Sequence, residues 1–449
     1  MQDTIKGPGL RRSRLGLGII AAVTLSGLAL SACGSGSSED ASKTLVVQVQ
    51  SAQLPAFQYA ASKFEASHEG VKVDLQTITE EQKSSTNAQI MASTNAPDIG
   101  LVPTNAQPYL DLLKADALLP LDDVWENADL DTRYEASMAT SLKSNDTPYV
   151  VLFDTTLYNV VFYNKDAFRK AGITEPADHQ IRSNDELYDV IGKLKTAGFD
   201  GLAMGGNAGY QWGWLVDGQL QANASDKALD DFKNSWKSGQ TQTTPYTSTE
   251  FTDSVKQFKG WADKGVFQEG VLGQDGDQAQ AAFTSGKSAM FLGGTWIPSV
   301  LEKTDLPFDY GWLLLPGKTS GKPTVPIVYA GDTLAVPRTA KSPDLAKDFL
   351  ELYVSDAVQK YAAENVGSLP SVQTVKAADI PALGEVVQEI VTFSSGNGTT
   401  TGWTSILPGS LGQSFIDPEI QKYLGGQVSL DQLGQNQQRQ FENFKAKNG

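Results

Sequence analysis

The chain has 449 residues, with 52 Asp and Glu against 36 Lys and Arg and a net charge of −16 at pH 7. This balance argues against a nucleic-acid partner, because a polyanion-binding surface needs clustered Lys and Arg and no basic run follows residue 32. The single cysteine, Cys33, also excludes an internal disulfide and a zinc site built from several Cys ligands. Core burial must therefore stabilise the fold, and the length suggests two or more lobes.

The N-terminal segment has the pattern of an export signal. Arginines precede a run of uncharged, mostly apolar residues that is too short for a permanent membrane span, and two small residues then lead to Cys33. Cleavage before Cys33 would free this residue to carry acyl chains, which hold a protein to a membrane. The sequence thus predicts a signal peptide over 1–32, lipidation at Cys33 and a flexible Gly/Ser tether over 33–43. The adjacent Arg11 and Arg12 leave a twin-arginine export route open.

Strands and helices alternate after the tether. The residue pattern predicts strands at 44–50, 71–78 and 97–102, with helices at 54–68 and 82–93 between them. This order predicts an α/β fold with a parallel sheet covered on both faces, and ligands bind beyond the carboxyl ends of the strands in such sheets.

The same alternation continues to the C-terminal part of the chain. Ser183 and Glu186 predict a capping box ahead of an amphipathic helix. Further strands are predicted at 158–163, 289–292 and 333–336, and further helices at 251–261 and 342–353. The glycine-rich aromatic stretch 205–214 lacks hydrophobic periodicity and is predicted to be a loop.

Three stretches carry a resemblance to a known family. They are 163–168, 282–296 (AFTSGKSAM followed by GGTW) and 331–337, which is followed by a helix and by Gly-Ser-Leu-Pro at 367–370. In this order and spacing, the chain resembles the extracellular solute-binding proteins of ABC transporters, in the branch that includes maltose-binding protein.

The resemblance implies two α/β lobes, each a mainly parallel sheet flanked by helices, with a ligand cleft between them and closure on binding. It implies a first lobe of 44–153 plus 294–333 and a second lobe of 154–293 plus 334–449.

Aromatic residues are the first set of candidate ligand contacts, because a flat ring covers the C–H face of a sugar. Trp296 follows two glycines that allow a close approach of the backbone, and it matches the cleft tryptophan of the family. Tyr210 and Trp212 are expected to face the ligand, whereas Trp214 is expected in the core. Trp403 matches a C-terminal cleft aromatic.

Polar residues that could pair with sugar hydroxyl groups form the second set. Asn105 lies after the third strand, where related proteins place a polar sugar contact. Asp154 and Asp332 lie on the expected crossings between lobes, and Gln53 lies just beyond the first strand.

Enzyme motifs are missing from the sequence. Gly286-Lys287-Ser288 lacks the earlier glycine of a phosphate-binding loop, and the two histidines, His68 and His179, lack metal-ligand spacing. We therefore predict no catalytic residue, no metal and no cofactor.

The export signal and the resemblance together imply a lipid-anchored substrate-binding protein of an ABC importer, on the extracytoplasmic side of the cell membrane. It would capture a mono- or oligosaccharide by lobe closure and deliver it, as a monomer, to the membrane permease. Two alternatives stay open: a binding protein for a non-sugar solute (a glycerol phosphate, a polyamine or a peptide), and a secreted lipoprotein glycosidase, which would need two carboxylates opposed across a cleft.

Overall fold

The computed structural model describes residues 43–51, 53–79, 82–83, 86–104, 107–207, 210–317, 323–329, 332–397, 399–408 and 410–448. The predicted signal peptide, the tether, Cys33 and Asn105 lie outside these residues. Within them the strands, numbered β1 to β13 in chain order, are Lys43–Gln50, Val71–Ile78, Gly100–Pro103, Lys143–Ser144, Thr147–Pro148, Val151–Leu152, Thr156–Asn164, Asp200–Ala203, Ser288–Gly294, Tyr310–Leu313, Ile327–Tyr329, Asp332–Ala335 and Thr400–Thr401.

Helices fill most of the chain between the strands. The described α-helices are Leu54–Ser67, Asn87–Met91, Gln107–Lys114, Asp122–Asn127, Leu130–Arg133, Ala136–Ser141, Lys165–Lys170, Asn184–Thr196, Gln211–Asn223, Asp226–Asn234, Thr249–Asp263, Gly276–Thr284, Ile297–Leu301, Pro343–Tyr353, Asp356–Val366, Glu385–Asn397, Trp403–Ile406, Gln413–Leu424 and Leu430–Asn448. Short 3-10 helices occur at Val271–Gly273, Ala377–Asp379 and Pro381–Leu383. None of the described helices combines the length and apolar character needed to cross a membrane.

The first lobe forms around β1 to β3. β1 and β2 pair in parallel, Val47 of β1 bridges Ile99 in parallel, and β12 lies between β3 and β6, antiparallel to both. Val47 and Val49 are fully buried, as expected for β-branched residues on a packed sheet.

The second lobe is built on a sheet in the order β13-β11-β7-β9-β8, with β10 also paired to β7. Successive residues of β7 point to opposite faces of the sheet. Val161 and Tyr163 belong to one hydrophobic core, whereas Val160 and Phe162 belong to another. The sheet is therefore buried on both faces, which confirms the α/β class.

Strand directions differ from the predicted mainly parallel sheets. β7 is antiparallel to β9, β10 and β11, and β12 is antiparallel to β3 and β6. β7 and β12 are the strands by which the chain enters each lobe from the other one. Neither strand therefore belongs to a β-α-β unit of the lobe that it enters, and it is this unit that makes neighbouring strands parallel.

The predicted lobe boundaries are wrong for 294–333 and for the start of 334–449. β10 and β11 pair with β7 of the second lobe, and residues from Leu334 to Val358, together with Val372, contribute to the first-lobe core. The chain crosses three times: between β6 and β7, between β11 and β12, and between Val372 and Ile380, which belongs to a second-lobe core. Strands that pair across hundreds of residues leave no local pattern in the sequence. The residue pattern of individual strands and helices therefore could not reveal these pairings.

The helix after Ser183 forms as predicted, but its capping differs in one detail. The Ser183 hydroxyl accepts a hydrogen bond from Glu186 N at 3.1 Å, whereas the Glu186 carboxylate accepts from Arg182 N at 2.8 Å. The reciprocal bond of a capping box would come from Ser183 N. The amphipathic face is buried as expected, through Leu187, Val190, Ile191 and Leu194.

Candidate functional site

Trp296 is placed by the end of β9 in the second lobe. It is half-buried and begins the helix Ile297–Leu301. A Cβ atom added to Gly294 would lie 2.1 Å from Trp296 Cζ3 and 2.4 Å from Leu157 O. Only glycine therefore allows the indole ring to pack over this strand end.

Two further rings continue from Trp296. Trp214 is half-buried, with its ring centroid 5.4 Å from that of Trp296, and Tyr210 is 38% exposed, with its centroid 5.0 Å from that of Trp214. We call Tyr210, Trp214 and Trp296 the aromatic group. Rings at this spacing pack edge to face or tilted, and together they give an apolar surface with polar edges.

The aromatic group rests on a buried hydrogen-bond network. The Tyr158 ring lies 5.5 Å from Trp214, and its hydroxyl donates to Asp217 Oδ2 at 2.6 Å. Asp217 also accepts from Thr404 N at 2.8 Å and from Thr404 Oγ1 at 2.5 Å. Burial raises the pKa of Asp217 to about 6, although these hydrogen bonds favour its charged form.

A second buried carboxylate fixes the helix that carries Trp214. Asp417 accepts from Trp212 N and Gly213 N, both at 3.0 Å, in the first turn of Gln211–Asn223. The first-turn N–H groups of a helix have no partner within the helix, and Asp417 satisfies two of them. Burial nevertheless raises the pKa of Asp417 to about 8, because desolvation outweighs the two hydrogen bonds.

Polar residues from five chain segments meet where the chain first crosses between the lobes. We call Gln53, Lys83, Asp154, Asp332 and Ser368 the hinge cluster. Ser368 Oγ donates to Asp154 Oδ2 at 2.9 Å, and Lys83 Nζ lies 2.5 Å from Asp332 Oδ1. Burial, followed by the neighbouring Asp332 charge, raises the pKa of Asp154 to about 7, against hydrogen bonds from Ser368 and Gln53 and the charge of Lys83.

Hydrogen bonds of Thr155 and a contact between two tyrosine rings link the hinge cluster to the aromatic group. Thr155, next to Asp154, donates from Oγ1 to Tyr329 O at 3.1 Å and from its backbone N to Leu369 O at 3.0 Å. The Tyr329 ring lies 6.5 Å from that of Tyr158, which supports Trp214. The aromatic group and the hinge cluster are therefore neighbouring parts of one candidate site.

The predicted site residues divide into three sets. Trp296, Tyr210, Asp154, Asp332 and Gln53 belong to the aromatic group or the hinge cluster. Asn105 and Cys33 lie outside the described residues, so their roles stay predictions.

Trp212 and Trp403 were predicted as ligand contacts, and the structure contradicts both. Trp212 is fully buried, and its indole N–H donates to Gly206 O at 2.9 Å. Trp403 is 1% exposed and packs against Phe251 and Tyr246. Neither ring can reach a ligand in this structure.

Sequence reasoning missed Trp214, Lys83 and Ser368. Trp214 was expected in the core. A helix that starts at Gln211 places Trp214 on a different face from Trp212, but the sequence pattern did not reveal that start. Ser368 lies in one of the stretches that carry the family resemblance, whereas Lys83 has no signal in the sequence.

Another cavity lies between the same two lobes. Its volume is about 870 Å³, and its walls include Thr104, Tyr149, Trp236 and Phe444. No member of the aromatic group or the hinge cluster lines it. Half-buried rings lie in the aromatic group, and the buried Gln53 Oε1, which has no hydrogen-bond partner among the described residues, lies in the hinge cluster. Trp236, in the wall of the other cavity, provides a control for the role of the aromatic group.

Metal binding has no support in the described part of the chain. There, no three His, Cys, Asp or Glu side chains are grouped so that they could hold an ion.

The buried carboxyl groups predict how stability depends on pH. Asp154, Asp217 and Asp417 have folded-state pKa values of about 7, 6 and 8, all above the ordinary value of 3.8 for an aspartic acid side chain. At low pH each carboxyl group is protonated and makes its full contribution to the stability of the folded state. This contribution is lost as the pH rises through the folded-state pKa of the group. We expect the thermal midpoint of the ligand-free protein to fall by a few degrees between pH 5.5 and pH 8.5, as measured by circular dichroism. Asp417→Asn should reduce this fall, and a midpoint that rises with pH would contradict the prediction.

Two α/β lobes joined by three crossings, with an aromatic surface beside a buried polar cluster at one crossing, define a two-lobed solute-binding protein. The chain belongs to the bacterial extracellular solute-binding protein family, whose model matches residues 49–360.

Relatives and solved structures agree with this class. The chain is 26% identical over 406 residues to the diacetylchitobiose binding protein DasA of Streptomyces coelicolor, covering 85% of this chain and 88% of that one. It is 24% identical to an uncharacterized ABC transporter extracellular-binding protein of Pyrococcus horikoshii, covering 80% of each chain.

Among solved structures, a chitin oligosaccharide binding protein superposes with a TM-score of 0.74 at 20% identity, over 90% of this chain and 99% of that one. The GacH receptor of Streptomyces glaucescens superposes with a TM-score of 0.71 at 20% identity, over 91% of this chain and all of that one. These likenesses confirm the two-lobed fold.

Proposed function

We propose that this chain is the carbohydrate-binding component of an ABC importer. The aromatic group carries this proposal, because three adjacent rings at the surface suit the C–H faces of a sugar better than a small charged solute. The hinge cluster supplies carboxylate and amide groups for hydroxyl hydrogen bonds. The DasA relative, named for diacetylchitobiose, makes that disaccharide the first ligand to test.

The mode of action follows from the lobes. Sugar bound between the aromatic group and the first-lobe side of the hinge cluster would favour a closed state, because only that state contacts the ligand from both lobes. The closed protein would then dock, as a monomer, on the permease subunits of the importer. The chain would not turn over its ligand.

Binding is tested by thermal unfolding of the full chain in mild detergent. The panel contains diacetylchitobiose, maltose, raffinose and galactose, with glycerol phosphate, a polyamine and a peptide as non-sugar ligands. A ligand that binds only the folded state raises the midpoint by mass action. We expect a shift with one sugar class and unchanged sugar after incubation. A shift with only a non-sugar ligand would contradict the carbohydrate assignment, and release of reducing ends would favour the glycosidase.

The membrane attachment is a separate part of the proposal. Cys33 follows an export-signal pattern, and two acyl chains on that residue would anchor the protein on the extracytoplasmic side. We expect wild-type protein in the membrane fraction and Cys33→Ser in the soluble fraction after cell lysis. Membrane retention of the Cys33→Ser variant would contradict lipidation at this residue.

A further inference from the structure

The hinge cluster contains more hydrogen-bond acceptors than donors. Asp154 and Asp332 offer four carboxylate oxygens, and Gln53 Oε1 is buried with no hydrogen-bond partner among the described residues. The donors are Ser368 Oγ, Lys83 Nζ and the Gln53 amide nitrogen. A ligand that completes this cluster must therefore bring donors, as sugar hydroxyl groups do.

The charges in the cluster are also out of balance. Asp154 is 8% exposed, and Lys83, the one cation that acts on it among the described residues, lies 2.5 Å from Asp332. Tyr353, the other titratable group beside Asp154, is buried and neutral, with its pKa raised by burial and by the Asp154 charge. One ammonium group thus faces the buried carboxyl group of Asp154 and the half-buried one of Asp332. A carboxyl group in this position holds a proton near neutral pH unless new donors stabilise its charge.

We propose that a hydroxyl group of a neutral sugar donates to the Asp154 carboxylate in the bound state, so that binding releases the proton that this carboxyl group holds in the ligand-free protein. The proton passes to the solvent, and no covalent bond changes. This inference rests on the proposed carbohydrate function and specifies its substrate class. Uronates and sugar phosphates are rejected, because they would add a negative charge beside two carboxylates and one ammonium group.

Proton release is measured by isothermal titration calorimetry of the full chain with diacetylchitobiose, or with whichever panel sugar raises the thermal midpoint. Titrations at pH 6.5 in two buffers of different ionisation enthalpy give the number of protons released. With the Asp154 pKa at about 7, we expect release of about 0.8 proton per sugar. Affinity should be about tenfold weaker at pH 6 than at pH 8, since the proton must leave before the sugar binds.

Two variants separate Asp154 from other groups. Asp154→Asn cannot titrate, so both the proton release and the pH dependence of affinity should disappear. Asp230→Asn, at an exposed position outside the site, should keep both. Release that persists in Asp154→Asn would overturn the inference, because it would come from another group. Proton uptake by the wild type would also overturn it, since Asp154 would then act as a donor to the sugar.

The outcomes also distinguish this inference from the proposed function. Sugar binding without proton exchange contradicts the inference and leaves the carbohydrate receptor intact. Binding of glucuronate or glucose phosphate as tightly as the neutral sugar contradicts the claimed substrate class. Failure of every sugar to bind contradicts the proposed function and, with it, the inference.

Discussion

Replacing Trp296 by Ala is expected to weaken sugar binding about fivefold or more, a loss of about 1 kcal/mol or more in binding free energy. The half-buried indole is the member of the aromatic group that Gly294 allows to pack directly over a strand end. Truncation removes its face and leaves Trp214 without its edge-to-face neighbour. Titration calorimetry with the panel sugar that raises the midpoint gives the affinity, and Trp296→Phe should retain part of it.

Trp236→Ala is the matched control for this experiment. Trp236 is also half-buried, but it lines the 870 Å³ cavity and packs near Phe444. We expect its loss to leave sugar affinity unchanged within twofold. If Trp236→Ala weakened binding and Trp296→Ala did not, the sugar site would lie in that cavity and the assignment of the aromatic group would be wrong.

Replacing Asp217 by Ala is expected to lower the free energy of unfolding by about 3 kcal/mol. The change leaves the Tyr158 hydroxyl without one partner, and the Thr404 backbone N and hydroxyl without their acceptor in a fully buried site. Leaving buried donors unsatisfied costs more than the net value of the hydrogen bonds themselves. Urea unfolding followed by tryptophan fluorescence measures the change.

Sugar binding by the surviving folded fraction gives a second readout. Tyr158 supports Trp214, so we expect Asp217→Ala to weaken sugar affinity as well as stability. Asp305→Ala, which removes an exposed carboxylate from a surface loop, should change neither by a measurable amount. A stability loss below 1 kcal/mol for Asp217→Ala would contradict the prediction, because the buried hydrogen-bond network would then tolerate the loss of the Asp217 carboxylate.

Local patterns predicted the elements of the fold better than they predicted its site. The strand before Gln50 and the helix after Ser183 depend on neighbouring residues, so hydrophobic period and capping chemistry were enough to find them. Trp212 and Trp214 show the limit. On a helix, two residues apart means about 200° of rotation, so one ring faces the core and the other faces the surface. The glycine-rich sequence hid the helix start at Gln211. Without that start, the buried position was predicted for Trp214 instead of Trp212.

The hinge cluster lay beyond prediction for a different reason. Lys83 and Asp332 are separated by 249 positions in the chain, and only the return of β12 to the first lobe brings them together. A lysine in a polar helical stretch has no feature that marks it as buried. Trp403 was similarly ambiguous, because its burial depends on Tyr246 and Phe251, which are distant in sequence.

The three crossings between the lobes also determine the order in which the molecule can be completed. β12 pairs with β3, and the Thr333 hydroxyl of β12 donates a hydrogen bond to Val102 O, which is 231 positions earlier in the sequence. The second lobe needs Leu433 and Phe441 of its C-terminal helix for its core. The first lobe therefore cannot be completed before the segment that contains Val372 has been synthesised, and the second lobe cannot be completed before the C-terminal helix. Such non-local contacts slow folding. A fragment that ends at Asn164 or at Gly294 would contain an incomplete version of both lobes.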